Sequence, residues 1–178
     1  MSGRDWKLFA GRVAFIDLTS RRVEVEELDR KMIELYLGGQ GINTRLAYEL
    51  TPPGADALGP DNVVVVGGGA FVGSMVPGST RVLISCKSPL NNQYSTSTSG
   101  TFIDQMKMAG FDHLVITGQS DRPVFLAIIH GQVTIEDAAD LWGLDTIQTA
   151  EALWIKYPQS SVLAIGPGGE RLHPKANM

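Results

Sequence analysis

Along "GRVAFIDLTSRRVEVEEL" the apolar Val13, Phe15, Ile16 and Leu18 precede the strictly alternating "VEVE". The polar break at Thr19 and Ser20 divides two strands, so the stretch predicts a half-buried hairpin. Asp29 then stands where a helix cap belongs, and the spacing predicts a helix over residues 30–36. The glycines of "LGGQG" interrupt it before a second helix over residues 42–50, which stops at Pro52. "NVVVVGGG" is an unbroken apolar run, the signature of a buried strand that gives way to bare backbone.

The same order returns later in the chain. "RPVFLAIIHGQVTIEDA" predicts a hairpin, "LDTIQTAEALWIKYP" a helix ending at a proline, and "SSVLAIGPGG" a strand running into glycines. Val133 stands 110 positions after Val23 and Gly166 stands 99 after Gly67, so the second copy is the more compact. An internal repeat of residues 11–75 and 122–170 within a single domain is the expectation, its glycine-rich ends converging as a pseudo-symmetric pair. Between the copies lie a strand "TRVLISC", a turn "KSPLNNQ", the run "STSTSG", a helix over residues 100–109 closed by Gly110, and a strand "HLVIT".

Composition narrows the setting. The chain has 178 residues, of which 43% are hydrophobic and 19% charged, enough for a buried core without staples. Cys86 is the single cysteine and no segment approaches the roughly 20 apolar residues of a membrane helix. "MSGRDWKLFAGR" lacks the apolar centre of a signal peptide, so the expected compartment is the cytoplasm, with no membrane partner. A net charge of -4 without a lysine or arginine block gives no footprint for nucleic acid.

The chemistry-bearing positions cluster in the middle segment. Ser95 to Ser99 and Gly100 supply hydroxyls and bare backbone ahead of Phe102, Ile103, Met106 and Ala109, which return at helical spacing. A helix entrance of that kind suits an anion, with Thr98, Ser99 and Gly100 as its contacts. Plain capping by a Thr101 and Asp104 box explains the same residues without a ligand. Arg81 opens a strand after "PGST", where its guanidinium can grip a phosphate or remain a solvated edge residue. Gly67, Gly69 and Gly73 give the wrong spacing for a dinucleotide fingerprint. His113, His130 and His173 have no partners at metal-ligand spacing, and Cys86 reads as a buried structural thiol. The sequence offers no metal ligand set and no catalytic acid, base and nucleophile together.

Taken in order, "GRVAFIDLTSRRVEVEEL", "YLGGQGINTRLAYEL", "GPDNVVVVGGGAFVGSMVPGSTR", "SCKSPL", "STSTSGTFIDQMKMAGFDHLVITG" and "AIGPGGE" resemble the amino-terminal domain of the tungsten-containing aldehyde ferredoxin oxidoreductase family. The resemblance runs from Gly11 to about Glu170. It implies an α+β fold of two mixed sheet-and-helix halves related by an approximate twofold. It also implies a tungsten or molybdenum bis-molybdopterin cofactor with a bridging magnesium. In the family the arginine after the proline-glycine turn and an "N-S-G" before the helix line the pterin, positions that fall here on Arg81, Thr98, Ser99 and Gly100. Thr98 departs from the asparagine common in the family but retains the backbone carbonyl directed there to magnesium.

The family's complete enzymes oxidise aldehydes to carboxylic acids and pass electrons through a 4Fe-4S cluster to ferredoxin. Glyceraldehyde and formaldehyde oxidoreductases and a benzoyl-CoA reductase subunit are related. The cluster cysteines, a second phosphate loop and the acid/base residues of the family lie beyond "GPGGE", so this chain is expected to ligate no cluster and to be inactive alone. Its expected partners are the remaining domains or subunits of the enzyme, ferredoxin and an aldehyde, and its uncovered apolar face predicts self-association. Two other functions compete: a non-catalytic binding or assembly module of the same fold, and a simple phosphate- or nucleotide-binding domain.

Overall fold

The structure is a computed structural model that describes residues 8–176 and, within them, every side chain but that of Ser99. Residues 1–7, where the signal-peptide reading falls in part, lie outside the described residues.

The first hairpin forms as its alternation predicts, β1 (Arg12–Asp17) pairing antiparallel with β2 (Arg22–Glu27). Asp29 caps α1 (Arg30–Tyr36) by accepting from the Lys31 N–H. The glycines that follow do more than interrupt. Leu37 takes left-handed angles and ends α1, and α2 then begins at Gly39, earlier than the predicted Ile42, and runs to Leu50 (Gly39–Leu50). Its first amide is satisfied from outside the helix, because Gly39 N–H donates to the Gly68 carbonyl at 2.9 Å.

The chain continues through β3 (Val64–Gly67), β4 (Val82–Lys87), β5 (Tyr94–Ser99), α3 (Phe102–Met108) and β6 (His113–Thr117). Six strands make one mixed sheet in the order β2-β1-β6-β3-β4-β5, in which β1 and β6 run parallel and all other pairs antiparallel. The run "STSTS", read as small residues loosely preceding a helix, is therefore an edge strand. Thr96 and Thr98 are β-branched and β4 offers an open edge, which together favour pairing. The Thr101 and Asp104 box does not form either. Thr101 sits at φ -104° and ψ 12°, away from the extended angles a side-chain cap needs, and makes no capping bond.

Each face of the sheet buries its own cluster. Val13, Val63, Val65 and Val115 pack under Ile33 of α1 and Ile42 and Leu46 of α2. On the opposite face Ile16, Val66, Ile84 and Leu114 meet Ile103 and Met106 of α3.

The later elements are β7 (Val124–Ile129), β8 (Gln132–Asp137), α4 (Thr146–Lys156) and the single turn α5 (Pro167–Glu170). β7 and β8 form a separate two-stranded sheet, closed by His130 and Gly131, both at positive φ as a two-residue hairpin turn requires. Asp145 caps α4 by a reciprocal box with Gln148. The strand expected in "SSVLAIGPGG" does not form. Residues 161–166 pair with no strand among the described residues, and Val162 to Ile165 instead line an apolar cavity of about 440 Å³ shared with Met106, Leu114, Ile128 and Leu153.

Candidate functional site

Four segments far apart in sequence meet at one end of the large sheet. Gly38 and Gly69 form an isolated bridge, Gly67 lies opposite Leu83, and Leu83 lies opposite Thr98. The Val82 N–H donates to the Gly100 carbonyl at 3.3 Å, so Arg81 and Gly100 stand at the same open end of the β4–β5 pair. Arg81, Thr98 and Gly100 are exposed, and Arg81 enters no ion pair or hydrogen bond among the described residues. The Ser99 side chain lies outside the described part of the structure.

Bare backbone dominates this end. A Cβ added to Gly69 or Gly100 would meet nothing within 4 Å, whereas one on Gly39 would press on Leu83 at 3.0 Å. The outer glycines therefore leave room for something to approach, and the inner ones let helix and strands approach each other. A guanidinium, a hydroxyl and exposed peptide groups form a surface for an anion rather than a nucleophilic site.

Beneath this end lies a buried polar layer that sequence reasoning missed. His113, fully buried, faces Asn43 across 2.8 Å from its Nδ1 to Asn43 Oδ1, and burial, helped by the nearby Lys107 ammonium, pushes its pKa down to about 3. The Asn43 amide donates to the Leu83 carbonyl at 3.0 Å. Asp112 accepts from the N–H groups of Ala10 at 3.0 Å and Gly11 at 2.6 Å, and burial raises its carboxyl above the usual range. Lys107 of α3 donates to Ala70 O at 3.0 Å and to Leu8 O at 2.5 Å, tying the loop after β3 to the chain's described start. Burial lowers its pKa. An amphipathic helix ending in lysine and a strand preceded by aspartate are ordinary sequence features, so nothing local marked these residues.

The remaining sequence candidates lie apart. His130 occupies the β7–β8 turn and His173 the last described segment, and no cluster of three or more potential metal ligands occurs among the described residues. Cys86 is half-buried on β4, and burial pushes its thiol pKa up. The 440 Å³ cavity is lined mostly by aliphatic and aromatic side chains and lies on the α3 face of the sheet, opposite Asn43 and His113.

The profile of the aldehyde ferredoxin oxidoreductase N-terminal domain matches residues 13–178. The chain belongs to this family. It is 32% identical over 165 residues to a tungsten-containing aldehyde ferredoxin oxidoreductase of Thermococcus kodakarensis, covering 91% of this chain and 27% of that protein. Over 149 residues it is 30% identical to the WOR-like subunit of an aliphatic sulfonate oxidoreductase of Pyrococcus furiosus, covering 82% of this chain and 24% of that one. Among solved structures, a chain of the active-site complex BamBC of benzoyl coenzyme A reductase superposes with a TM-score of 0.88 at 32% identity, over 92% of this chain and 25% of that one. The chain thus spans about a quarter of the length of these relatives. As an N-terminal domain of the aldehyde ferredoxin oxidoreductase family, it has the α+β architecture of mixed sheet and helices. No helix among the described residues is long and apolar enough to cross a membrane.

Proposed function

We propose that this chain is the cofactor-bearing amino-terminal part of a tungsten-dependent aldehyde:ferredoxin oxidoreductase, with the sheet end at Arg81, Thr98, Ser99 and Gly100 facing the cofactor. One observation supports this reading: an exposed arginine with no protein partner among the described residues stands at the same strand end as Gly100, at the sheet end that also holds Gly69, with open space around both glycines. Those residues fit a phosphate-bearing pterin, since the guanidinium can offer two parallel bonds to a phosphate and the glycines leave the backbone reachable. Arg81 would hold the pterin phosphate, and the Thr98 carbonyl would face a bridging magnesium. When bound, a bis-molybdopterin tungsten centre supplies the redox chemistry by which an aldehyde and water become a carboxylic acid. This chain's residues bind and orient that group.

The 4Fe-4S cluster, the acid/base groups and the contact with ferredoxin belong in this reading to the polypeptide by which the relatives exceed the chain. The proposed compartment is the cytoplasm. Metal and pterin analysis tests the assignment, with the chain produced alone and together with that further polypeptide in a cell that makes molybdopterin. Tungsten and pterin retained in the joint product are expected. Their absence from both would overturn the reading in favour of a non-catalytic module, and nucleotide binding by calorimetry in their place would make the chain a phosphate-binding domain.

A further inference from the structure

Asn43 is the fifth residue of α2, fully buried, and touches three strands at the sheet end just described. Its Nδ2 lies 3.0 Å from Leu83 O, 3.3 Å from Val65 O and 3.4 Å from Ser85 Oγ, while its Oδ1 lies 2.8 Å from His113 Nδ1. Backbone carbonyls only accept, so the amide nitrogen must face Leu83 and Val65, and the amide oxygen must face the histidine. His113 therefore carries its proton on Nδ1 and donates it to Asn43. Ser85 Oγ continues the chain to Thr96 Oγ1 at 2.8 Å, which carries the connection out to the edge strand β5.

The register shows what this network spans. Val13, His113, Gly67, Leu83 and Thr98 form one row across β1, β6, β3, β4 and β5, and Asn43 sits over the glycine of that row. A Cβ on Gly67 would overlap both His113 and Asn43, so the bond between them needs a glycine beneath it. The ladder between β3 and β4 is only three residues long and ends at this row, where the Asn43 side chain joins the strands from above.

We infer that Asn43 is a positioning residue for the cofactor-facing end: through Leu83, and through Ser85 and Thr96, it fixes where β5 presents Thr98 to Gly100 beside Arg81. The purpose rests on the function proposed above, whereas the mechanical role can be read by itself. Three variants of the full chain separate the cases. Ser85→Ala removes the link to Thr96 and leaves the Asn43 bonds to Leu83 and His113. Asn43→Ala removes the hub. His113→Asn keeps a donor for Asn43 Oδ1.

Hydrogen exchange by mass spectrometry is expected to speed by about tenfold over residues 94–99 in Ser85→Ala, with β1 and β6 unchanged, because losing one hydrogen bond opens a local unit. In Asn43→Ala the effect should extend to residues 82–87, and His113→Asn should stay near the parent. Tungsten and pterin retention should fall in the order of the exchange effect rather than with melting temperature. Unchanged exchange over residues 94–99 in Ser85→Ala overturns the inference even if Asn43→Ala fails to fold, and so does an equal loss of protection over all six strands. A parent protein that retains no pterin even when produced together with the further polypeptide overturns the function proposed above instead, and the exchange pattern then still decides whether Asn43 positions β5.

Discussion

Replacing His113 by asparagine tests the buried polar layer through its pH dependence. In the native chain the imidazole is fully enclosed and its pKa is pushed down to about 3, while the unfolded chain protonates it near 6.5. Between those values the unfolded state binds a proton that the native state does not. Stability is therefore complete above about pH 6.5 and drains away as pH falls toward 3. At 1.36 kcal/mol per pH unit, lowering the pH to 5 removes about 2 kcal/mol. The side-chain amide introduced by His113→Asn cannot titrate and can still donate to Asn43 Oδ1, at the cost of a small void worth about 1 kcal/mol at neutral pH. Asp112, whose carboxyl is raised by burial, acts in the opposite sense at acid pH, since its native form holds a proton more readily than its unfolded form. Lys107 and Asp112 are common to parent and variant, so their effects cancel in the difference. Urea unfolding of both proteins at pH 8 and pH 5 should show the parent about 1 kcal/mol more stable at pH 8 and about 1 kcal/mol less stable at pH 5. Parallel stability curves would refute a neutral, enclosed His113.

Arg81→Ala should weaken cofactor retention by about 1.5 to 3 kcal/mol, the range for hydrogen bonds to a charged group, read as tungsten and pterin remaining after dialysis. Equal retention would remove Arg81 from the site. Lys107→Met leaves the Leu8 and Ala70 carbonyls without their donor, which should cost about 1 to 3 kcal/mol in urea unfolding and expose residues 8–11 to proteolysis. Gly67→Ala should destabilise the chain by about 3 kcal/mol, because the added methyl overlaps His113 and Asn43 with no free space to relax into; a near-native melting temperature would contradict that packing. Tyr94→Phe, which deletes the bond from the phenol to Val63 O at 3.1 Å, should cost about 1 kcal/mol in the same assay.

Local rules made much of the fold readable. Asp29 announces α1 because its cap is decided within three residues, α4 follows from its helical stretch ending at a proline, and both hairpins follow from their apolar and alternating runs. The run "STSTS" misled because its side chains are small and polar on both faces. Only the presence of β4 beside it makes it a strand. "SSVLAIGPGG" misled in the opposite direction, since an apolar run can line a cavity without pairing, as Val162 to Ile165 do. Arg81, Thr98 and Gly100 were legible as candidates from local motifs, but their common location depends on the β4–β5 register. Asn43, Ser85 and His113 were invisible as a group because 70 residues separate Asn43 from His113, and only strand order joins them.

The central position of β6 has a consequence for how the chain is made. β6 pairs with β1 on one side and β3 on the other, yet it is the last of the six strands in sequence. Until His113 to Thr117 emerge from the ribosome, the strand that joins the β1–β2 pair to the β3–β4–β5 pairs is missing, so β1 and β3 have no partner on their inner edges. Synthesis proceeds at roughly 5 to 20 residues per second, so those edges are exposed for seconds before the keystone strand arrives. The six-stranded sheet can therefore be completed only after β6 has been made, however early the first hairpin pairs.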